Sequence, residues 1–228
     1  MTAIVEPRVE LIAHTTIVPD AIEQRMEIQE GSTDAETLTV YAGRSCYESW
    51  SRPNEKTRED KDYLRRTLFE QGHFSILEHA SATFYLTGVS RALLAEITRH
   101  RHLSFSVMSQ RFVDESDANI VIPPAARGSE KLTWEFENAA AGARHSYQEL
   151  VEALLDSGLA RKQAREAARA VLPNMVETRI VVTGNLRAWH EVIERRTAPD
   201  ADAEFQQVAG MIREELQKLA PAIFKEIN

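Results

Sequence analysis

The chain of 228 residues contains a single cysteine, Cys46, which excludes an internal disulfide and any multi-cysteine zinc site. That thiol also lacks an activating partner: GRSCYESW has no adjacent histidine, so Cys46 is expected to be a small buried hydrophobe, not a nucleophile. No stretch approaches the roughly eighteen apolar residues of a membrane span. The first residues, MTAIVEPRVELIA, show no cationic segment followed by an apolar one, and the expectation is a cytoplasmic protein with no membrane partner. Three nucleotide and hydrolase signatures are missing: GxGxxG after a strand, the P-loop GxxxxGK followed by Ser or Thr, and the GxSxG elbow. Excess positive charge is missing too, since 35 Asp and Glu against 27 Lys and Arg give a formal net charge of -8. A general polyanion binder gains affinity from net positive charge, so no nucleic-acid partner is expected. Without repeats, low-complexity segments or a linker rich in Pro, Gly or Ser, residues 1–228 read as one domain.

What is present is an irregular interleaving of strand and helix patterns. VELIAHT (9–15) alternates as a strand. Thr33-Asp34-Ala35-Glu36 resembles a capping box opening a helix through Ala42. A helix over 59–71 is closed by Gly72, SATFYLT (81–87) is a strand, and a helix follows from Ser90 to about His100. NIVIP (119–123) reads as a short strand ended by Pro123-Pro124. Helices over 130–157 and 160–172, a strand over 176–184 and helices over 186–196 and 201–219 complete the chain. The order lacks a βαβ rhythm and predicts an α+β domain with a sheet flanked by helices.

The densest cluster of chemistry is RHRHLSFSVMSQR (99–111): three arginines, two histidines, three serines and a glutamine in an acidic chain. Cations at a helix C-terminus are favoured by the dipole, which accounts for one or two of them. Ser104, Ser106, Ser109, Gln110 and Arg111 continue beyond the helix end and read as a loop able to wrap an anion, with arginine suited to a bidentate grip on phosphate. In NLRAWHEVIERR (185–196), Asn185 caps a helix on which Trp189, Val192, Ile193 and Arg196 share one stripe. Arg196 therefore either snorkels to water or points into a pocket and meets an anion there, whereas Arg195 falls beside Glu191 as a surface partner. Arg161, Arg165 and Arg169 form a stripe that is either solvated or functional. His73, Glu78 and His79 match no standard two-histidine metal spacing, and no metal is expected.

The pattern Arg-His-Arg, seven residues, Ser (99–109), together with GHFSILEH, ARAVLPN and TGN-x-RAW in the same order, resembles the flavin-dependent thymidylate synthases from about Val9 to Ile223. The resemblance implies a mostly antiparallel sheet and a homotetramer with active sites at subunit interfaces. It also implies binding of FAD, dUMP, methylenetetrahydrofolate and NADPH, with reductive methylation of dUMP to dTMP. Position by position, it places Ser75, Arg99, His100, Arg101, Val107, Asn185, Arg187 and Glu191 at the FAD. Glu96, Arg99, Val107, Met108, Ser109, Gln110 and Arg111 fall at the nucleotide, with Arg169 reaching in from a neighbouring subunit and His73 where the folate stacks. Arg196 matches the arginine that stabilises N3-deprotonated uracil. The chain departs from the pattern at Val107, where relatives commonly carry Glu or Gln, so that only backbone contacts carry over. It departs again at Glu191, next to His190, where relatives carry His or Asn. Two other readings stay open at this stage: a nucleic-acid-binding protein, and a flavin or nucleotide binder without catalysis.

Overall fold

The structure is a computed structural model and describes residues 3–225. Four strands, β1 (Arg8–His14), β2 (Ser81–Ser90), β3 (Leu103–Val107) and β4 (Glu177–Asn185), form one antiparallel sheet in the order β1-β2-β4-β3. The α+β expectation and the antiparallel sheet are thus both met. In β2 the period of two is plain: Ala82, Phe84 and Leu86 are fully buried, and the residues between them are half-buried. Gly88 breaks this ladder with a positive φ of 64°, and a Cβ there would lie 2.0 Å from the Glu6 carbonyl oxygen, so the bend is closed to other residues.

The helices are α1 (Pro19–Glu23), α2 (Asp34–Ser45), α3 (Asp60–Leu64), α4 (Arg91–Ile97), α5 (Glu130–Asp156), α6 (Arg161–Ala168), α7 (Leu186–Arg196), α8 (Ala203–Leu219) and α9 (Pro221–Phe224). The capping box of α2 forms as expected, with Glu36 N–H donating to Thr33 Oγ1 (3.3 Å) and Thr33 N–H to Glu36 Oε2 (3.1 Å). The expected helix over 59–71 is α3 continued by a wider π turn at Arg65–Glu70. α7 is riveted to the sheet by Trp189, whose indole N–H donates to the Ala82 carbonyl (3.0 Å) and whose ring meets Phe84 edge-on at 5.1 Å.

Three expectations need correction. The strand expected over 119–123 reduces to bridges at Ile120, with Val176 and Ile4, because Pro123 and Pro124 have no N–H to continue a ladder. The loop expected over 103–111 begins instead as β3: Leu103, Phe105 and Val107 alternate with exposed Ser104 and Ser106, and the two serines disguised a half-buried edge strand. Cys46 is exposed, not buried, because it caps the C-terminal end of α2 and its Sγ lies 3.4 Å from the Ala42 carbonyl oxygen.

Buried charges that sequence patterning left unmarked brace the 44–63 region. Arg44 donates to the Thr57 carbonyl (2.6 Å) and lies over the Tyr63 ring, and Arg52 pairs with Asp60 at 2.6 Å. On α8, the buried Glu204 carboxylate accepts from Ser90 N–H (2.7 Å) and Ser90 Oγ–H (2.6 Å), while Ser90 Oγ accepts from Leu93 N–H and so caps α4. Burial pushes the Glu204 carboxyl above its ordinary range, against the two Ser90 bonds that pull it down. Glu204→Gln presents an amide NH₂ to one of those donors, so stability is expected to fall by roughly 1–3 kcal/mol in denaturant titration. An unchanged midpoint would show that the carboxylate does not hold α4.

Candidate active site

α4 ends at Ile97, and the chain turns through Arg99, His100, Arg101 and His102 before entering β3. The entry is tight because Gly184, paired opposite Leu103, has no Cβ; one built there would lie 2.4 Å from Leu103 Cδ2. The helix end and α7 thereby converge on a cleft of about 240 Å³ lined by Arg99, His100, Arg101, His102, Leu103, Ala188, Glu191, Arg195 and Arg196. A second cleft of about 300 Å³ shares His102, Ala188 and Glu191 with the first and adds Glu78, Asn185 and Arg187. Six of the residues expected to touch one cofactor, Arg99, His100, Arg101, Asn185, Arg187 and Glu191, thus line two adjoining clefts. Sequence reasoning did not assign His102 or Arg195 to the site, although His102 lies inside the conspicuous RHRH run.

At the floor of the first cleft, Arg196 Nε–H donates to His100 Nε2 (2.9 Å) and its Nη1 donates to Glu96 Oε2 (3.2 Å). A guanidinium is always a donor, so His100 Nε2 is an acceptor and the ring proton sits on Nδ1. Burial holds the His100 pKa below its ordinary value, and the neighbouring Arg196 cation adds to the depression while Glu191 opposes it. Arg196 is a pocket residue: its side chain is 18% exposed, whereas Arg99, 3.6 Å from Glu96, is 72% exposed. Arg195 pairs with Glu191 at 2.8 Å, as the sequence spacing predicted. Glu191 itself faces both clefts, while the adjacent His190 turns into the core against Phe69 and Phe74, where burial depresses its pKa.

His73 and Ser75 are exposed on the turn that ends at Glu78, and Glu78 pairs with Arg187 across the second cleft. The other expected ligand group lies elsewhere. Met108 N–H bonds to the Arg179 carbonyl at the Val107 end of β3, on the order of 13 Å of strand from Leu103 at about 3.3 Å per residue. Ser109 Oγ accepts from Arg111 N–H (3.4 Å), and the Ser109 carbonyl accepts from Phe112 and Val113. Gln110 is buried beside Glu115, so its side chain does not face solvent. Burial raises the Glu115 carboxyl, with Arg91 and Gln110 pulling it back. Two ion pairs tie this loop to α6: Arg111 with Glu166 at 2.6 Å and Arg165 with Asp114 at 2.5 Å. Arg169, one turn beyond Arg165, follows α6 and lies close enough to Arg91, the first residue of α4, for the two cations to repel. Within one chain, then, Arg169 belongs with the 107–111 loop, while Glu96, Arg99 and Arg196 gather at the opposite, C-terminal end of α4.

A model of the family described as thymidylate synthase complementing protein matches residues 27–222. A flavin-dependent thymidylate synthase from Mycobacteroides abscessus is 47% identical over 241 aligned positions, covering 100% of this chain and 92% of the relative. Those from Mycobacterium sp. strain JLS and Mycobacterium tuberculosis are 46% and 45% identical, each covering 97% of this chain and 90% of the relative. The family match and the near-complete alignments show that this chain belongs to the flavin-dependent thymidylate synthases.

Proposed function

We propose that the chain methylates dUMP reductively to dTMP, with methylenetetrahydrofolate as carbon donor and FAD reduced by NADPH. It would act as a cytoplasmic homotetramer with sites between subunits. The observation that carries the reading is Arg196, a guanidinium in the cleft on the otherwise apolar stripe of α7, held by His100 and Glu96. Of its five N–H groups two are engaged, which leaves three for a ligand.

The residues suit a flavin dinucleotide. Two adjoining clefts offer length, and Arg99, Arg101 and Arg187 offer cations for a diphosphate. Ser75 and Asn185 supply neutral polar contacts, and Val107 contributes backbone alone. Glu191 is compatible with those phosphates because Arg195 neutralises it. Bound there, the flavin supplies the hydride equivalent that makes a cysteine nucleophile at uracil C6 unnecessary. The exposed Cys46, at the end of α2, agrees with that account. His73, exposed at the start of the turn that ends at Glu78, would stack the folate.

For the nucleotide, Met108, Ser109 and Arg111 hold the phosphate, joined by Arg169, with Gln110 giving its backbone. Glu96, Arg99 and Arg196 take the base. A fixed guanidinium at the base favours the N3-deprotonated uracil, which raises electron density at C5 for attack on the methylene carbon. Ser109 acts as a phosphate ligand: its hydroxyl accepts from Arg111 N–H, and among the described residues no side-chain base hydrogen-bonds to it.

The test is release of tritium from dUMP labelled at C5, given NADPH and methylenetetrahydrofolate. Flavin-loaded protein is expected to release label into water at an unchanged rate in Cys46→Ser. Yellow protein that releases none would sink the reading, and loss in Cys46→Ser alone would restore a thiol mechanism.

A further inference from the structure

Arg196, His100 and Glu96 come from α7 and from the end of α4, yet the surface beneath them belongs to a third element. Phe205, in the first turn of α8 and fully buried, places its ring 4.8 Å from the Arg196 guanidinium carbon. The same ring meets His100 edge-on at 5.8 Å with planes at 87°. A guanidinium over an aromatic face is attracted by the ring quadrupole, and the attraction grows when water is excluded. A flat support also restricts rotation about the last bonds of a long side chain, which hydrogen bonds to Nε and Nη1 alone leave partly free.

The neighbouring residue grips the other end of the same segment. Glu204 binds Ser90, the N-cap of α4, through both oxygens. One turn of α8 therefore touches both the N-cap of α4 and the turn just beyond its C-terminal end, with a helix about 10 Å long at 1.5 Å per residue between them. Nothing in the local sequence around RHRH or TGN-x-RAW points to this support, because it arrives from the next helix in the chain.

We propose that Phe205 is a positioning residue: its ring fixes the plane of the Arg196 guanidinium, so that Nε stays committed to His100 and Nη1 to Glu96 while the remaining edge is presented to the ligand. The proposal concerns how Arg196 is held, and its catalytic consequence rests on the reading of Arg196 given above. The charged groups facing His100 are Arg196, Glu191, Arg195 and Arg99. Burial is the largest cause of the depressed His100 pKa, and of these charges only Arg196 donates to its ring nitrogen, so loosening Arg196 relieves the part of the depression that this cation adds.

Phe205→Leu keeps an apolar side chain in place but removes the π face. In flavin-loaded protein, histidine-selective NMR is expected to show His100 titrating at a higher pH than in the parent. Turnover of dUMP is expected to fall about tenfold in kcat with the flavin retained. Should the leucine variant fail to fold, Phe205→Met fills the same space with an adaptable chain and is held to the same two readouts. A folded variant with the parental His100 titration and the parental kcat overturns the proposal. If the titration shifts and kcat does not, Phe205 still holds Arg196, and the catalytic reading of Arg196 is what fails.

Discussion

Arg196→Ala is expected to lower kcat for dUMP methylation by about 100- to 1000-fold while the protein remains folded and yellow. The substitution leaves the neighbouring groups of the cleft with partners. Glu96 keeps Arg99 at 3.6 Å, so no carboxylate is stranded, and His100 loses a donor that cleft water replaces. The residues proposed to hold the flavin, Arg99, Arg101, Arg187 and Asn185, line the two clefts independently of Arg196. What disappears is the guanidinium edge proposed to meet the base. Arg196→Lys sharpens the test, since a lysine keeps the positive charge but lacks the fork that serves Nε to His100 and Nη1 to Glu96 together. It is expected to recover only a part of the lost rate. Bleaching of the alanine variant on gel filtration would move Arg196 to the flavin, and full turnover would remove it from the chemistry.

The same residue shows how far sequence reasoning reaches. Its place on the buried stripe with Trp189, Val192 and Ile193 follows from the helical period, and the structure finds those three fully buried. The capping box at Thr33, the alternation of β2 and the Arg195 pairing with Glu191 were legible for the same reason: each depends on residues two to four positions apart. The failures share the opposite property. β3 was obscured because Ser104 and Ser106 are polar on the open side of an edge strand, where local composition says loop. The 119–123 segment has strand composition, yet the prolines after it permit only bridges. Buried Arg44 and Arg52 gave no signal because their partners, Thr57 in a short 3-10 turn and Asp60 at the start of α3, stand 13 and 8 residues away across a turn, outside any helical or strand period. Phe205 under Arg196 is the same case within the active site. The charges of the cleft were legible, and the surface that orients them was not.

Mixed oligomers of Arg169→Ala and Arg196→Ala, each inactive alone, are expected to regain about a quarter of the parental activity on random pairing. The expectation comes from the two ends of β3. Arg169 travels with the 107–111 loop, because α6 is tied to that loop by Arg111 with Glu166 and by Arg165, which pairs with Asp114 and donates to the Phe112 carbonyl at 2.7 Å. Arg196, Glu96 and Arg99 gather instead at the Leu103 end. A single nucleotide whose phosphate is held by the first group and whose base is held by the second is then bound by two chains. In a mixed pair, one of its two sites combines the intact Arg169 of one copy with the intact Arg196 of the other, and its second site carries both substitutions. Half of randomly formed pairs are mixed, and half of their sites are whole. Co-expression with differently tagged chains and tandem purification removes the tetramers built from one variant alone, so the active fraction is expected to rise slightly, to about two sevenths. If purified mixed oligomers stay inactive, the nucleotide is held within one chain, and β3 must be spanned by a single substrate. If they recover, the guanidinium that acts on the base and the arginine that holds the phosphate never need to meet in the same subunit.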